Sequence, residues 1–272
     1  MRIWYLAMRL CGRRCRKMDL ICDQMVAAIY KSPLQRARVI SEHWFHENSY
    51  CLACDADRLL RSAANTSAMD FSCVACGERY ELKTFTRRPG KSLVDGAYAS
   101  LISRIQSGTA PTLCLLERDK SWCIQSLTAI HSSFLTPWVI ERRAPLRAQA
   151  RRAGWIGCKI RLDLIPPDGE IAVVSNGVVL AKSKVRQSFR RFLPLAEMTA
   201  SQRGWTTLTL AIVRSLGHAR FLLPDVYARQ KDFELAYPSN RNVRAKIRQQ
   251  LQVLRDLGVL SFLGGGVYEL RS

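Results

Sequence analysis

Residues 70–83 read DFSCVACGERYELK, a stretch that combines two patterns of very different chemistry. Its two cysteines are separated by two residues, which is the spacing of a zinc-binding knuckle. Asp70 stands before the knuckle, and Glu81 and Lys83 stand after it. The stretch therefore indicates either a metal knuckle with charges nearby or a hydrolytic site built around a metal knuckle.

A second pair of cysteines makes the metal interpretation much stronger. Cys51 and Cys54 have the same spacing, and 18 residues separate them from Cys73 and Cys76. Two such pairs provide the four thiolates of a tetrahedral zinc site, and four protein ligands leave no open position for catalysis. We therefore predict a structural Zn²⁺ ion, whose binding stabilises the fold by on the order of 10 kcal/mol. The alternative is that the four residues are ordinary core cysteines.

The Glu-x-Lys pattern lies in a strand-like run, RYELKTF at residues 79–85. Side chains two residues apart in a strand project to the same face, about 7 Å apart, so Glu81 and Lys83 are presented together. A chain that turns back at the second knuckle can bring Asp70 to the same point. Two carboxylates can hold Mg²⁺, which activates water and stabilises charge on a phosphate. The pattern alone is also compatible with a solvated surface ion pair.

The charge of the chain favours a polyanionic partner. The 272 residues include 42 Lys and Arg against 22 Asp and Glu, a net charge of +20. Most basic residues are arginines, whose planar fork suits phosphates and guanine edges, although a GC-rich genome would also increase the arginine content. No apolar run reaches the roughly 18 residues of a membrane helix, and the N-terminus resembles a signal peptide poorly. We expect a cytoplasmic protein with no membrane partner.

The first part of the chain mixes helical and strand-like patterns, which predicts an α/β fold. Residues 33–45 have helical spacing. Residues 95–105 are predicted to form a second helix that begins near Asp95. Three short apolar runs bounded by turn residues predict strands at 112–117, 122–127 and 171–175.

The C-terminal part has the element order of a winged helix, three helices followed by a β-hairpin. The three helical patterns lie at 205–216, 223–230 and 240–257. Strands predicted at 259–263 and 267–270 flank three consecutive glycines, which is a hairpin signal. Residues 193–204 carry few signals of regular structure. The predicted division is an N-terminal extension from a misplaced start at 1–17, a first domain at 18–195 with the zinc module at 51–76, a linker at 196–204 and the winged helix at 205–272.

Several stretches of the chain resemble one known family, the DpnI-type restriction endonucleases. The similarity runs from Met18 to the C-terminus with few gaps. The stretches that carry it are QRARVISEHW, the four-cysteine module, DF…CGERYELK, DGAYAS, ARRAGWIGC, RGWT and KIRQQLQVLRD. There are two departures: Met69 stands where the general motif has proline, and residues 1–17 have no counterpart in the family pattern.

The resemblance implies a PD-(D/E)xK nuclease core with a mixed sheet, followed by a winged helix, both of which bind DNA specifically. It also implies Mg²⁺-dependent cleavage of double-stranded DNA at GATC sites only where the adenine is N6-methylated. The positions that match the family's catalytic motif are Asp70, Glu81 and Lys83, with the two carboxylates as Mg²⁺ ligands. One chain with two DNA readers leads us to expect a monomer.

Trp155, in ARRAGWIGC, is the predicted methyl contact of the nuclease domain, since the family that this chain resembles has a tryptophan of this motif at the methyl groups. Its ring offers a large apolar area with little rotamer freedom to lose. Arg151 and Arg152 are predicted to anchor phosphates nearby. The alternative is a core tryptophan in a tight turn.

The third helix of the C-terminal part is predicted to enter the major groove of DNA. Its predicted DNA contacts are Arg241, Arg244, Lys246, Arg248 and Gln249. The pattern does not separate residues that read bases from residues that contact phosphates, and a solvated basic face is the alternative.

Three functions are compatible with these patterns. The first is a methyl-dependent DNA endonuclease, and the second is a regulator that binds DNA through a zinc ribbon and a winged helix without cutting it. The third is a repair nuclease with the same core and another target. Asp70, Glu81 and Lys83 separate the first two, because a regulator needs none of them.

Overall fold

The computed structural model describes residues 18–63 and 69–271, so the predicted extension at 1–17 lies outside the described residues. The first part of the chain contains, in order, α1 (Pro33–Asn48), β1 (Leu60–Arg61), β2 (Phe71–Ser72), β3 (Arg79–Phe85), β4 (Ser92–Ala97), α2 (Tyr98–Gln106), β5 (Thr112–Arg118), β6 (Ile124–Ile130), β7 (Ile140–Arg142), β8 (Gly157–Arg161), β9 (Glu170–Ser175), β10 (Val178–Val179) and α3 (Lys182–Arg190). The second part contains α4 (Ala200–Ser215), β11 (Arg220–Leu222), α5 (Leu223–Tyr227), α6 (Gln230–Ala236), α7 (Val243–Asp256), β12 (Leu260–Gly264) and β13 (Val267–Leu270).

The main sheet of the first part is mixed and has the strand order β1-β2-β3-β5-β6-β9-β10. β3 and β5 are parallel neighbours, and the connection between them passes through β4 and α2. The other neighbouring strands of this sheet are antiparallel. β4, β8 and β7 form a second, smaller sheet. The predicted α/β class with a mixed sheet is confirmed.

Strand β5 shows that the main sheet is buried on both faces. Leu113 and Leu115 belong to one apolar cluster, and Cys114 and Leu116 belong to another. The two sets alternate because successive side chains of a strand point to opposite faces of its sheet. Helices α1 and α3 pack on the face of Cys114, and α2 and the C-terminal helices pack on the face of Leu113.

The C-terminal part ends in the expected winged-helix order, with α7 followed by the β12–β13 hairpin and with β11 added to the hairpin as a third strand. The single helix predicted at 223–230 is instead two short helices, α5 and α6. Its apolar side chains do not form a separate core, because Trp205 and Leu251 belong to the same cluster as Leu113. The buried Arg203 donates a hydrogen bond of 2.7 Å from Nη2 to the carbonyl oxygen of Ile105, at the end of α2. The two parts of the chain therefore share one core.

Two local predictions were wrong. Residues 193–204 are largely regular: a 3-10 helix spans Leu193–Glu197, and α4 begins at Ala200 with a capping box between Thr199 and Gln202. Residues 95–97 belong to β4, and α2 begins only at Tyr98. The contact that makes Asp95 part of a strand comes from a distant segment, since β4 pairs with β8, whereas the capping box of Thr199 and Gln202 is a local signal.

None of the described helices combines the length and the apolar character that crossing a bilayer requires.

Gly204 lies in α4 at the junction between the two parts of the chain, where packing is so tight that a larger side chain should destabilise the protein. A Cβ at this position would lie 2.1 Å from Oη of Tyr237, and the Tyr237 ring is stacked on Trp205 at a centroid distance of 4.3 Å. Gly204→Ala should therefore destabilise the protein by about 1–3 kcal/mol through overpacking. In an exposed helix, the same replacement of glycine by alanine would instead stabilise the helix by about 1 kcal/mol. Denaturant unfolding measures the difference.

The matched control is Gly90→Ala, since a Cβ at Gly90 meets no atom within 4 Å. This variant should be as stable as the parent protein or slightly more stable. Equal stability of the two variants would contradict the tight contact at Gly204.

Candidate functional site

The second cysteine pair forms the turn of a hairpin between β2 and β3. Phe71 pairs with Tyr80 and Ser72 pairs with Arg79 across the two strands. The turn is closed by a hydrogen bond of 2.9 Å from the backbone N–H of Cys73 to the carbonyl of Glu78. Thus the knuckle makes the chain turn back on itself, as the sequence predicts.

The four cysteines of the two knuckles meet at one point. The Sγ atoms of Cys51, Cys54, Cys73 and Cys76 all lie within 4.8 Å of one another. The closest pairs, Cys51 with Cys76 and Cys54 with Cys73, are 3.5 Å apart. Sulfur atoms bound to one tetrahedral zinc ion are about 3.8 Å apart, so the dimensions suit such an ion.

Cys73 is prepared for metal binding by the backbone around it. Burial opposes the charged form of its thiol, but hydrogen bonds from the backbone N–H groups of Cys76 and Ala75 outweigh burial and lower the pKa of Cys73 to about 7. The thiolate is the form that binds metal. The cluster can therefore hold a metal ion in a closed site of four sulfur ligands.

The first knuckle is attached to β3 and to α3. The Tyr80 hydroxyl, which is buried, lies 3.4 Å from Sγ of Cys51 and accepts a hydrogen bond of 2.9 Å from the N–H of Leu52. Arg186 of α3 donates to the carbonyl oxygens of Cys51 and Ala56, at 3.0 Å each. The metal module is therefore joined to the strand that carries Glu81 and Lys83.

Asp70 lies beside the Glu-x-Lys strand. Asp70 directly precedes β2, and its backbone N–H donates a hydrogen bond of 3.0 Å to the carbonyl of Tyr80 on β3. The N–H of Leu82 donates a hydrogen bond of 2.8 Å to Oδ2 of Asp70. The carboxylate of Asp70 thus lies beside β3, close enough for its charge to act on Glu81 and Lys83.

The amine of Lys83 lies between two carboxylates. Its Nζ atom is 2.6 Å from Oε1 of Glu81 and 2.6 Å from Oδ1 of Asp95. The other oxygen of Glu81, Oε2, is buried and has no hydrogen-bond partner within the described part of the chain. An unpaired buried carboxylate oxygen is costly, and a bound cation would satisfy it.

The pKa values of the cluster reflect burial first and the charges of its neighbours second. Burial raises the pKa of Asp70 above its ordinary value, and the nearby Glu42 carboxylate adds to this rise. Burial also raises the pKa of Glu81, against the attraction of Lys83 and with a contribution from Asp95. The pKa of Lys83 is raised because the two carboxylates outweigh the opposing effect of burial. A divalent cation would relieve the repulsion among these carboxylates.

Trp155 lies in an arginine-rich loop between β7 and β8, and its ring is partly exposed rather than part of the core. The loop is closed by a hydrogen bond of 2.9 Å from the N–H of Leu146 to the carbonyl of Trp155. The Arg152 guanidinium lies 4.7 Å from the centre of the Trp155 ring. Arg151 and Arg152 are both exposed. The loop thus presents an aromatic face and positive charge together to the surroundings.

Helix α7 carries the predicted DNA contacts on the face opposite its core residues. Val243, Ile247 and Leu251 are buried, together with Leu254. The predicted contacts Arg241, Arg244, Arg248 and Gln249 are exposed, and Lys246 is half-buried. Arg241 precedes the helix, and the other four lie on it. The basic face is accessible, as binding to DNA in a groove requires.

Two protein-family models match this chain. The model of the Dam-replacing family, DpnI, matches residues 18–198. This chain belongs to the Dam-replacing family. The model of the Dam-replacing HTH domain matches residues 201–270, the part that has the winged-helix order. The resemblance to DpnI-type methyl-directed restriction endonucleases, drawn from the residues alone, is thereby confirmed.

Sequence reasoning missed one residue of the site in this Dam-replacing family member. Asp95 contacts Lys83 but lies 12 residues after it, on a strand of the second sheet. The sequence predicted that Asp95 would start a helix, where an acidic residue is common and suggests no site. The only available signal was its presence in DGAYAS, one of the stretches that carry the family resemblance.

The closed cysteine cluster predicts that this family member depends on a bound metal for its fold. Elemental analysis of the purified protein should find one metal ion per chain, and removal of that ion by a strong chelator should lower the melting temperature because metal binding contributes to folding. Cys54→Ser should have the same effect without chelator. Cys123→Ser, outside the cluster, should keep the ion. An unchanged melting temperature after complete metal removal would contradict the role of the cluster.

Proposed function

We propose that this chain is a type II methyl-directed restriction endonuclease that hydrolyses phosphodiester bonds of double-stranded DNA at GATC sites carrying N6-methyladenine. The proposed cofactors are Mg²⁺ for catalysis and a structural Zn²⁺ ion at the four cysteines. The observation that carries the catalytic part is the convergence of Asp70, Glu81 and Lys83 at one point of β3. Family membership supports the methyl-directed endonuclease, and the GATC target comes from the sequence resemblance.

The proposed roles follow from the chemistry of the three side chains. Asp70 and Glu81 would hold the magnesium ion, and the unpaired Oε2 of Glu81 fits that role. When bound, Mg²⁺ would lower the pKa of an attacking water and stabilise negative charge on the scissile phosphate. Lys83 carries a positive charge held between carboxylates. Its amine can donate hydrogen bonds to the attacking water or to a phosphate oxygen.

Two separate readers would explain strong selection for methylated DNA. Burying one methyl group contributes only about 0.8 kcal/mol, a factor of about four, and a well-packed pocket raises the discrimination by one methyl group to about tenfold or somewhat more. We propose that Trp155 contacts the methyl groups in the nuclease part and that α7 reads a methylated site in the winged helix, so that the two factors multiply. Arg151, Arg152 and the exposed basic residues of α7 would contact phosphates and base edges.

We further propose that the chain acts as a monomer with two DNA-binding parts, a nuclease part at 18–195 and a winged helix at 205–272. The shared apolar core and the hydrogen bond from Arg203 to Ile105 support a fixed arrangement of the two parts. Both DNA surfaces would then belong to one rigid body.

The catalytic proposal predicts the behaviour of Lys83→Ala and Glu81→Gln. The parent protein with Mg²⁺ should cut a plasmid whose GATC adenines are methylated and leave the unmethylated plasmid intact. Each variant should lose at least about 10²- to 10³-fold in cleavage rate, since an electrostatic group is removed from the reacting centre, while DNA binding is retained. Lys120→Ala, at an exposed turn, is the matched control and should cut normally.

Other outcomes of this assay identify the competing functions. Binding without any cutting by the parent protein would indicate a DNA-binding regulator. Cutting that does not depend on methylation would indicate a nuclease with another target.

The methyl-reading proposal predicts a graded series at Trp155. Trp155→Ala should reduce cleavage of the methylated plasmid by about tenfold or more, because the apolar contact with the methyl groups is lost. Trp155→Phe should retain most of the activity, since a flat apolar face remains. Both variants should melt at nearly the temperature of the parent protein. A large loss of stability in Trp155→Ala would instead support a core role for this residue.

A further inference from the structure

Asp95 belongs to the acidic cluster around Lys83, but the proposed function gives its carboxylate no role. Its side chain is 5% exposed, and its Oδ1 atom lies 2.6 Å from Nζ of Lys83. Glu81 lies at the same distance on the other side of the amine. Because Glu81 is proposed to hold the metal ion, Asp95 is the carboxylate that remains to fix Lys83.

The backbone of Asp95 is held firmly by the second sheet. Asp95 pairs with Cys158 of β8, and a register irregularity follows between Asp95 and Ala97. Sγ of Cys158 donates to the carbonyl oxygen of Gly96 at 3.4 Å, and the N–H of Tyr98 donates to the carbonyl of Ile156 at 3.1 Å. The carboxylate that faces Lys83 therefore projects from a strand paired on one side and continued directly by α2, not from a loop.

A lysine side chain needs such a support to act at a defined place. Its flexible four-carbon stem samples many rotamers, and a single flexible partner does not remove this freedom. Asp95 and Glu81 approach the amine from two different sheets. Hydrogen bonds from opposite sides restrict the amine to one position near Asp70 and the unpaired oxygen of Glu81.

We propose that Asp95 is a positioning residue for phosphodiester hydrolysis, which holds the amine of Lys83 beside the metal-binding carboxylates through a direct ion pair. The proposal rests on the proposed nuclease function for its effect on rate. The contact itself does not depend on that function. Asp95 acts through Lys83 and does not touch the DNA, so its loss should change kcat and leave KM almost unaltered.

The test compares Asp95→Asn and Asp95→Glu with the parent protein in two measurements. In steady-state cleavage of methylated duplex DNA, Asp95→Asn should lower kcat by about 10- to 100-fold, as expected for loss of a group that orients a reacting side chain, with KM and DNA affinity maintained. In limited acylation with an amine-specific reagent, followed by mass spectrometry, the peptide containing Lys83 should be modified faster in Asp95→Asn. Asp95→Glu, which keeps the charge, should recover part of kcat and part of the protection.

Controls within the same chain make the readout specific. Asp163→Asn removes another aspartate that is paired with a basic residue, Arg161, and should leave both measurements unchanged. Lys159, which is paired with Glu141, should be acylated at the same rate in all variants. A melting curve of each variant separates loss of fold from loss of positioning.

Unchanged kcat or unchanged acylation of Lys83 in a folded Asp95→Asn protein would overturn the proposal. If Asp95→Asn does not fold, the test rests on Asp95→Glu, whose side chain is one methylene longer. A parent-like kcat and a parent-like acylation rate in Asp95→Glu would show that Asp95 does not control the position of the Lys83 amine, and would also overturn the proposal. If the parent protein does not cut DNA, the proposed function fails. The acylation of Lys83 would still show whether Asp95 holds the amine.

Discussion

The hairpin turn that Cys73 and Cys76 make between β2 and β3 is the constraint on which the rest of the site depends. It folds the chain back so that Asp70 lies against β3, the strand that carries Glu81 and Lys83. The first knuckle is joined to the same strand through Tyr80, whose hydroxyl contacts Cys51 and Leu52. A metal ion in the cysteine cluster would therefore stabilise two things at once, the turn itself and the alignment of the proposed catalytic residues next to it. The cysteine cluster and the proposed hydrolytic site are therefore neighbours along one hairpin.

A second constraint is the continuous core between the two parts of the chain. The strand β5 in the middle of the main sheet and the helix α7 of the winged helix contribute to the same apolar cluster. The buried Arg203 reaches the end of α2, and Arg214 pairs with Asp168 of the first part at 2.5 Å. Inter-domain contacts of this kind limit relative motion of the parts. The exposed basic face of α7 and the acidic cluster beside β3 thus belong to one framework.

The electrostatics of the site contrast with those of the whole chain. The chain has a net charge of +20, which attracts DNA non-specifically and raises the rate of encounter. Against that background, Glu81 and Asp95 both contact the amine of Lys83, and burial raises the pKa of Asp70 and Glu81. A buried acidic cluster within a basic surface can bind a small cation where the basic surface binds phosphates. This arrangement is the electrostatic requirement of a metal-assisted phosphodiesterase.

Much of the architecture could be predicted from the sequence because it is encoded at short range. The cysteine spacing, the alternation of RYELKTF and the apolar stripe of α7 each involve residues within a few positions, and each led to the observed knuckle, strand or helix. The contact between Glu81 and Lys83 could also be predicted, because the two residues are two positions apart on one strand. The exposure of Trp155 could not be predicted, since a tryptophan between glycines suits a core turn and a surface loop equally well.

Only the tertiary structure decided which distant segments of the chain contact one another, because local sequence patterns carry no information about such contacts. Asp95 reaches Lys83 because β4 pairs with β8, some 60 residues further along the chain, and this pairing overrides the helical pattern around Asp95. The start of α4 at Ala200, by contrast, has a local signal in the capping box of Thr199 and Gln202, and Arg203 and Trp205 then pack this helix against α2 and α6. By itself the sequence determined which side chains could do the chemistry and which stretches become strands or helices. Burial and long-range pairing decided which of those side chains meet, because both depend on the free energy of the whole core.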